Sequence, residues 1–286
     1  MTTMADIAPE SVLLAGAGRA ILLQIAHPSI GYGVARHSDF ASRPMDRLNG
    51  TLTYIYALTS GTEEDKRAVR RAVNRAHRPV RNVPGASAPN PPDSAPVTAP
   101  PAAEPAASLD PAYDARDPHL QLWVAATLYD TAITVFELVH GPLDEASADH
   151  VYREYALLGT ALQMPEELWP ADRAAFRRYF ERTVQELSVD DTVRGVAVAL
   201  LRAEKGPLPL RVGMPIARFV TVALLPEPVR SAFGYAWSGR RERRFRRLLR
   251  VAGPLYRALP ERLRRAPQRH YLARLHAASA AAPAPA

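Results

Sequence analysis

The chain has 286 residues, 47% of them hydrophobic, and a formal net charge of +7. This length and apolar fraction are sufficient for a buried core, and a composition rich in alanine, leucine and arginine favours helices. The sequence contains no cysteine. Disulfides, thiolate metal sites, iron–sulfur clusters and cysteine nucleophiles are therefore excluded.

The first segment, Ser11 to Ala26, is an apolar run that is predicted to form a buried helix. It contains Gly16 and Gly18 within GAGRAI, but a dinucleotide-binding loop needs a strand before its glycines, and none is indicated here. The N-terminus lacks the basic stretch of a signal peptide. No apolar run approaches the roughly 20 residues of a membrane-spanning helix. We therefore expect a soluble, cytoplasmic protein.

The second segment begins as a predicted glycine- and serine-rich loop, HPSIGYGVARHSDF, and continues as a helix from about Pro44 to Ser60. Arg47 and Thr51 are four residues apart in this helix, so they share one face. The arginine could bind a haem propionate, polarise dioxygen or pair with a carboxylate. The threonine could face the same pocket or bond to its own backbone.

A third segment, opened by the capping pattern of Thr62 and Asp65, is predicted to be a helix that ends near His77, because Pro79 follows. Its apolar positions recur at spacings of three and four, which places His77 on the predicted buried face. This buried stripe comprises Val69, Ala72, Val73, Ala76, His77 and Val80. A neutral imidazole on an apolar helix face suits an axial haem ligand, with its other nitrogen oriented by a helix-end carbonyl. From spacing alone, a histidine on an apolar stripe is more often a core residue that is hydrogen-bonded to a neighbour.

Residues 86–111 are rich in proline and alanine and are predicted to be a disordered insert. Asp117 and Pro118 open a helix that Gly141 ends, and one side of it carries Trp123 and Thr127. Further helices are predicted over residues 144–163, 170–187, 191–203, 215–224, 228–237, 240–259 and 260–276. The sequence indicates no strand. We predict an all-α fold, with residues 1–85 and 112–276 in one multi-helix domain and a flexible tail over 277–286.

The C-terminal part is strongly basic, with 13 arginines and two acids between Trp237 and His276. Arginines interleaved with leucines are typical of a basic amphipathic helix, which could contact an anionic membrane surface. The alternative is a solvated face of a terminal helix that docks on the domain through residues such as Leu255 and Leu259. We expect no nucleic-acid partner.

Four runs occur in an order that resembles a known family: HPSIGYGVARHSDFASRPMDRLNGT, AHRPV, YDARDPHLQLWVAATLYD and YALLGTALQMPEELWP. They resemble the rubber oxygenase (latex clearing protein) catalytic domain and the fungal MpaB oxygenase, over residues 10–275. The resemblance implies a globin-like or orthogonal helical bundle around a haem pocket. Haem b iron would be bound through His77, with Arg47 and Thr51 beside the oxygen-binding side. We assign Trp123 and Thr127 to the same pocket.

The resemblance implies an oxygenase that uses dioxygen on a small apolar substrate, and the chain departs from the family at two positions. Gly50 stands where rubber oxygenases have a lysine next to the iron, which puts polyisoprene cleavage in doubt. Ala125 stands where short relatives have a histidine, which puts activity itself in doubt. The alternative function is a non-catalytic helical protein that binds haem or lipid and contacts membranes through its basic end.

Other polar residues give weaker patterns. His27 and His37 could lie on the distal side of the haem, although His27 precedes a proline and is typical of a helix end. His37, Ser38 and Asp39 resemble a hydrolytic set in composition only, because adjacent loop residues do not form a triad. Three further acids could be proposed as non-haem iron ligands, but they lack a recognisable spacing. These acids are Asp114, Asp117 and Asp130.

Overall fold

The computed structural model describes residues 1–37, 44–82, 110–203 and 206–281. These residues form helices and no strand, which confirms the all-α prediction. The α-helices are, in chain order, α1 Met4–Ile7, α2 Ala17–Ile25, α3 Pro28–His37, α4 Pro44–Ser60, α5 Glu63–His77, α6 Pro118–His140, α7 Glu145–Tyr155, α8 Leu157–Thr160, α9 Arg173–Glu186, α10 Asp191–Arg202, α11 Leu208–Leu224, α12 Glu227–Ala232, α13 Gly239–Arg257, α14 Glu261–Arg264 and α15 Ala266–Ala281. Two short 3-10 helices span Ser11–Gly16 and Glu166–Leu168.

Helix α6 is the centre of the fold. The Asp117 side chain accepts hydrogen bonds from the backbone N–H groups of His119 and Leu120 at its start, and Gly141 ends it with a φ of 91°. Its apolar residues face several directions, as expected for a helix enclosed by others, and it packs against α2, α7, α8 and α13. One hydrophobic cluster extends from Met4 to Phe233, so most of the described helices share a single core.

Helix α6 is also long and apolar enough to cross a membrane by length and composition, with a mean hydropathy of 1.4 over its most apolar window. The expectation that no segment meets this criterion was therefore wrong. Of that window, 56% is buried inside the protein. Burial against its neighbours accounts for the apolar composition of this helix.

The glycine- and serine-rich segment before α4 was wrongly predicted to be a loop, because residues 28–37 form helix α3. Pro28 occupies the first helical position, where a proline is tolerated, and the His27 carbonyl accepts a hydrogen bond from the Gly31 N–H. A Cβ at Gly31 would lie 2.4 Å from the Ile25 carbonyl oxygen. This glycine therefore permits close packing of α3 on the end of α2.

Several helix boundaries also differ from the predictions. The first apolar run begins as a 3-10 helix, the predicted helix over 144–163 is divided into α7 and α8, and α11 begins seven residues before the proline at which it was expected to start. On α5, Ala72 and Ala76 are exposed although they were predicted to be buried. The last helix extends to Ala281, beyond the predicted end at His276.

The basic C-terminal helices dock on the domain. The carboxylate of Glu10, which is 4% exposed, accepts hydrogen bonds from Tyr256 Oη and Arg264 Nη1, both at 2.7 Å. Tyr271 Oη donates to Asn49 Oδ1 at 2.6 Å, which joins α15 to α4. The helices are therefore docked, as one alternative predicted, but through polar contacts. Leu255 and Leu259, which were predicted to make the docking contacts, are 65% and 41% exposed, so that part of the prediction was wrong.

Residues 83–109, which include most of the predicted insert, lie outside the described residues. The segments on either side of them are joined by backbone hydrogen bonds, from Asn82 N to the Tyr113 carbonyl and from Ala115 N to the Val80 carbonyl, both 2.9 Å. The described segments on either side of residues 83–109 therefore lie next to each other.

Candidate functional site

Arg47 lies on α4 with its guanidinium turned toward α2. Its Nη2 donates a hydrogen bond to Gln24 Oε1 at 3.3 Å. Burial lowers the pKa of Arg47 to about 10. The guanidinium therefore remains protonated at neutral pH and places a positive charge in the interior, where charges act strongly on their neighbours.

Gln24 connects Arg47 to the central helix. It is 5% exposed, and its Nε2 donates to Thr127 Oγ1 at 3.1 Å. Thr127 in turn donates to the Val124 carbonyl at 2.8 Å. The sequence predicted Thr127 but missed Gln24, although a glutamine inside the apolar run Ile21–Ile25 was a visible signal. The three side chains form a polar line across α4, α2 and α6.

His77 is the last residue of α5. Its Nδ1 is buried and has no hydrogen-bond partner among the described residues. The helix-end carbonyl that was expected to orient this nitrogen is therefore not its partner. The other interpretation of the sequence was a core histidine that is hydrogen-bonded to a neighbour. Nδ1 makes no such hydrogen bond in the described residues.

The electrostatic surroundings keep His77 neutral. Burial lowers the pKa of the imidazole, the positive charge of Arg47 lowers it further, and Asp114 opposes them. The helices thus bring Arg47 near enough to His77 for its charge to act on the ring. Because a histidine ligates metal in its neutral form, the site favours the protonation state that ligation requires.

An amide network fixes the helix that carries His77. Asn74, one turn before His77, accepts a hydrogen bond from Gln163 Nε2 at 2.6 Å. Gln163 also exchanges hydrogen bonds with Gln121, through Gln121 Nε2 to Gln163 Oε1 at 2.6 Å and Gln163 N to Gln121 Oε1 at 2.9 Å. The end of α5 is thereby held to α6 and to the segment after α8.

Thr51 is half-buried, one turn after Arg47. No hydrogen bond joins its hydroxyl to another residue in the described ranges. The preceding Gly50 is exposed, and a Cβ built there would meet no atom of the described residues within 4 Å. The position of the family lysine therefore adjoins open space in this chain.

Trp123 has contacts of its own that indicate a structural role. It is 1% exposed, its indole N–H donates to the Leu23 carbonyl at 3.1 Å, and its ring packs against Tyr179 and Phe180. None of these contacts joins it to Arg47 or His77. Its assignment to a cofactor pocket stays a prediction.

Ala125 is also enclosed, at 1% exposed. It lies one turn after Gln121 and two residues before Thr127, so helical periodicity places it on the face of the amide network and away from Gln24. A histidine at this position would therefore lie on the opposite side of α6 from Thr127.

The acids considered as iron ligands have other partners. Asp114 pairs with Arg116 at 3.1 Å, Asp117 caps α6, and Asp130 pairs with Arg19 at 2.6 Å. No group of three or more histidine, aspartate or glutamate side chains suitable for a metal ion occurs in the described part of the chain. These contacts give the non-haem iron alternative no support.

The remaining histidine candidates, His37 and His27, have different surroundings. His37 Nε2 lies 2.9 Å from Tyr113 Oη, while Ser38 and Asp39 lie outside the described residues. His27 has a buried Nδ1 without a partner in the described ranges, and burial lowers its pKa despite Asp117 and Glu186. A distal position for His27 stays a prediction.

The glycines of GAGRAI serve helix packing. A Cβ at Gly16 would lie 2.5 Å from Thr131 Cγ2, and one at Gly18 would lie 2.1 Å from Thr221 Oγ1. The glycines therefore allow α6 and α11 to approach this segment closely, which accounts for the motif without a nucleotide.

Cavities among the described residues include two of about 440 and 540 Å³. The first borders α1, α4 and α7, and the second lies between α6 and α9. Neither borders His77. The described residues thus supply ligating chemistry at His77, while the porphyrin pocket implied by the family resemblance stays a prediction.

Comparison of this chain with known proteins identifies both relatives and a family. The chain is 38% identical over 252 residues to uncharacterized proteins of Mycobacterium bovis and Mycobacterium tuberculosis, which covers 85% of this chain and 88% of each relative. No solved structure matches it. Residues 6–253 match the family described as "ER-bound oxygenase mpaB/B'/Rubber oxygenase, catalytic domain". The chain therefore belongs to this oxygenase catalytic-domain family.

Proposed function

We propose that this protein is a haem b-dependent oxygenase or related oxidoreductase that uses dioxygen on a small apolar substrate. The observation that carries the proposal is the buried, unpartnered Nδ1 of His77 beside the charge of Arg47. An imidazole kept neutral in the interior is a suitable iron ligand. The family match supports the oxygenase class.

The residues of the site fit haem by their chemistry. His77 would hold the iron, and Arg47 would pair with a propionate carboxylate or position dioxygen. Thr51, on the same face as Arg47, would add a hydroxyl to the pocket. When bound, haem b supplies the redox chemistry with dioxygen, while the protein supplies ligation, orientation and exclusion of water.

Each protein group keeps its charge for a physical reason. The pKa of His77 is lowered, so the imidazole is neutral at neutral pH. The pKa of Arg47 remains near 10, so the guanidinium stays charged and can bind an anionic group. Gln24 accepts a hydrogen bond from that guanidinium and is itself held by Thr127. Gly50 in place of the family lysine leads us to propose a substrate other than polyisoprene.

The proposal is tested by titrating the purified protein with haemin. We expect a Soret band that saturates at one haem per chain, loss or shift of that band in His77→Ala, and no change in His270→Ala. His270 is an exposed histidine on α15 and serves as the matched control. Failure of the wild-type protein to develop a Soret band would overturn the proposal.

A haem carrier is the alternative that the same site allows. The two are separated by reducing the haem-loaded protein and mixing it with dioxygen. An oxygenase is expected to consume dioxygen when a small unsaturated apolar compound is added, whereas a carrier would bind haem without turnover. We also propose a cytoplasmic location, which cell fractionation tests.

A further inference from the structure

Helix α11 carries an apolar stripe that the described residues leave uncovered. Leu208, Val212 and Ile216 follow one another at intervals of four, so they lie on one side of the helix. They are between 63% and 72% exposed. Exposed aliphatic groups in a row mark an interaction surface far more often than a single exposed leucine does.

Helix α13 continues this surface with a mixed stripe. Arg240, Arg244, Arg247, Val251 and Leu255 recur at spacings of four, three, four and four and therefore lie on one flank. Val251 and Leu255 are 62% and 65% exposed. The flank is thus basic in its first half and apolar in its second.

The two stripes meet at Phe219. This residue is three positions after Ile216 and lies on the same side of α11. Its ring packs against Trp237 and Phe245, and the guanidinium carbon of Arg244 lies 5.5 Å from its centroid. The α11 stripe and the α13 flank therefore border one another, and we call them together the α11–α13 surface.

The charge of this surface is almost entirely positive. Helix α13 has eight arginines and one glutamate, and α11 has two arginines and no acid. That glutamate, Glu242, is already paired with Arg246. Aliphatic side chains bordered by arginines suit an interfacial site, in which apolar groups enter the acyl region and cations remain among anionic headgroups.

From these observations we infer that the α11–α13 surface binds the anionic surface of a lipid bilayer. Charge decides against a second copy of the chain, because a two-fold contact would set this basic surface against itself. The row of leucine, valine and isoleucine argues against nucleic acid, because its phosphate backbone is bound by charged and hydrogen-bonding groups. The inference does not depend on haem, so it can fail without affecting the proposed function.

The test is flotation of the full-length protein with two kinds of vesicle. One contains phosphatidylcholine alone, and the other contains phosphatidylcholine mixed with phosphatidylglycerol. We expect binding to the second kind only, weakened by high salt because exposed charges are screened. Absence of binding to the anionic vesicles would overturn the inference.

Two double substitutions locate the contact. Val212→Asn/Ile216→Asn removes the apolar part, and Arg240→Gln/Arg247→Gln removes part of the charge, and each is expected to weaken vesicle binding at least about tenfold. The controls are Val198→Asn on α10 and Arg67→Gln/Arg71→Gln on α5, which alter exposed residues elsewhere and should leave binding unchanged. Because the altered side chains are exposed, the variants should fold.

Three outcomes would contradict the inference. The α11–α13 variants could bind vesicles as tightly as the wild-type protein does. Light scattering could show a dimer that Val212→Asn/Ile216→Asn dissociates, which would assign the surface to self-association. The arginine variant could lose binding to DNA while no variant changes binding to vesicles, which would assign the surface to nucleic acid.

Discussion

Arg19 is buried and Arg47 is half-buried, and the two arginines stand in different surroundings. Arg19, which is 4% exposed, donates to Asp130 at 2.6 Å, to Thr131 at 2.7 Å and to the Leu224 carbonyl at 2.8 Å. It thereby joins α2 to α6 and α11 through a carboxylate and two further acceptors. Its contacts are those of a structural ion pair.

Arg47 lies at the other side of α2, and its hydrogen bond to Gln24 is a longer contact with a neutral amide. Burial lowers its pKa, and its charge lowers the pKa of His77. A residue that serves binding is often not arranged for the greatest stability of the fold. The domain therefore contains one arginine that is held by several acceptors and another whose charge acts on an imidazole.

The largest expected difference is in stability. We predict that Arg19→Met lowers the free energy of unfolding by about 3 kcal/mol, because it leaves Asp130 and two further acceptors without their donor. Arg47→Met should lower it by less than Arg19→Met does, because it also removes a charge whose desolvation is unfavourable. Chemical denaturation measures both, and equal losses in the two variants would remove the distinction.

Gly18, next to Arg19, and Gly50, near Arg47, should also respond differently to substitution by alanine. We expect Gly18→Ala to destabilise the fold by about 1–3 kcal/mol, because the new Cβ would lie 2.1 Å from Thr221 Oγ1. Gly50→Ala should stabilise the protein by about 0.5–1 kcal/mol, because alanine loses less backbone entropy in a helix than glycine does and its Cβ would not clash with the described residues. Thermal unfolding of the pair tests this, and a loss of stability in Gly50→Ala would indicate a contact beyond the described residues.

Substitution of Gln24 tests whether the polar line of Arg47, Gln24 and Thr127 contributes to haem binding. We predict that Gln24→Leu weakens haemin binding about threefold to tenfold. Arg47 loses the amide oxygen that accepts a hydrogen bond from its charged guanidinium, and Thr127 loses its donor, each at a cost of about 1 kcal/mol. Gln185→Leu is a control at a glutamine outside the Arg47–His77 site and should leave haemin affinity unchanged. Haemin titrations that gave the same affinity for Gln24→Leu and the wild-type protein would make the line purely structural.

The smallest expected effect is the pH dependence contributed by His77. Its pKa is lowered in the folded protein, so the unfolded chain takes up a proton near pH 6.5 while the folded chain does so only at lower pH. Acidification through that window therefore favours unfolding. Melting temperatures of the wild-type protein should fall more steeply below pH 6.5 than those of His77→Gln. His27 and His140, whose pKa values are also lowered, remain in both proteins, and parallel curves would contradict the prediction.

Local signals predicted the helices that position the site. Pro44–Ser60 and Pro118–His140 were predicted at the ends that they have, because caps, prolines and Gly141 act within a few residues of the boundary they set. Helix α3 was missed because its glycines count against a helix locally, and only the approach of Gly31 to the Ile25 carbonyl explains them.

The polar contacts of the site could not be predicted in the same way. Gln24 lies 103 residues from Thr127 and 23 from Arg47, and no spacing rule connects residues so far apart. The stripe of α5 was predicted too wide, since Ala72 and Ala76 are exposed. Small alanines fit either face of a helix, so periodicity alone could not assign them.

The central claim is that the His77 imidazole holds haem iron, and chemical rescue tests it most directly. His77→Gly should fail to develop the wild-type Soret band when mixed with haemin, and added imidazole should restore the band by replacing the missing ring. A matching Soret band in His77→Gly without imidazole would contradict the account, because the iron would then have its ligand elsewhere.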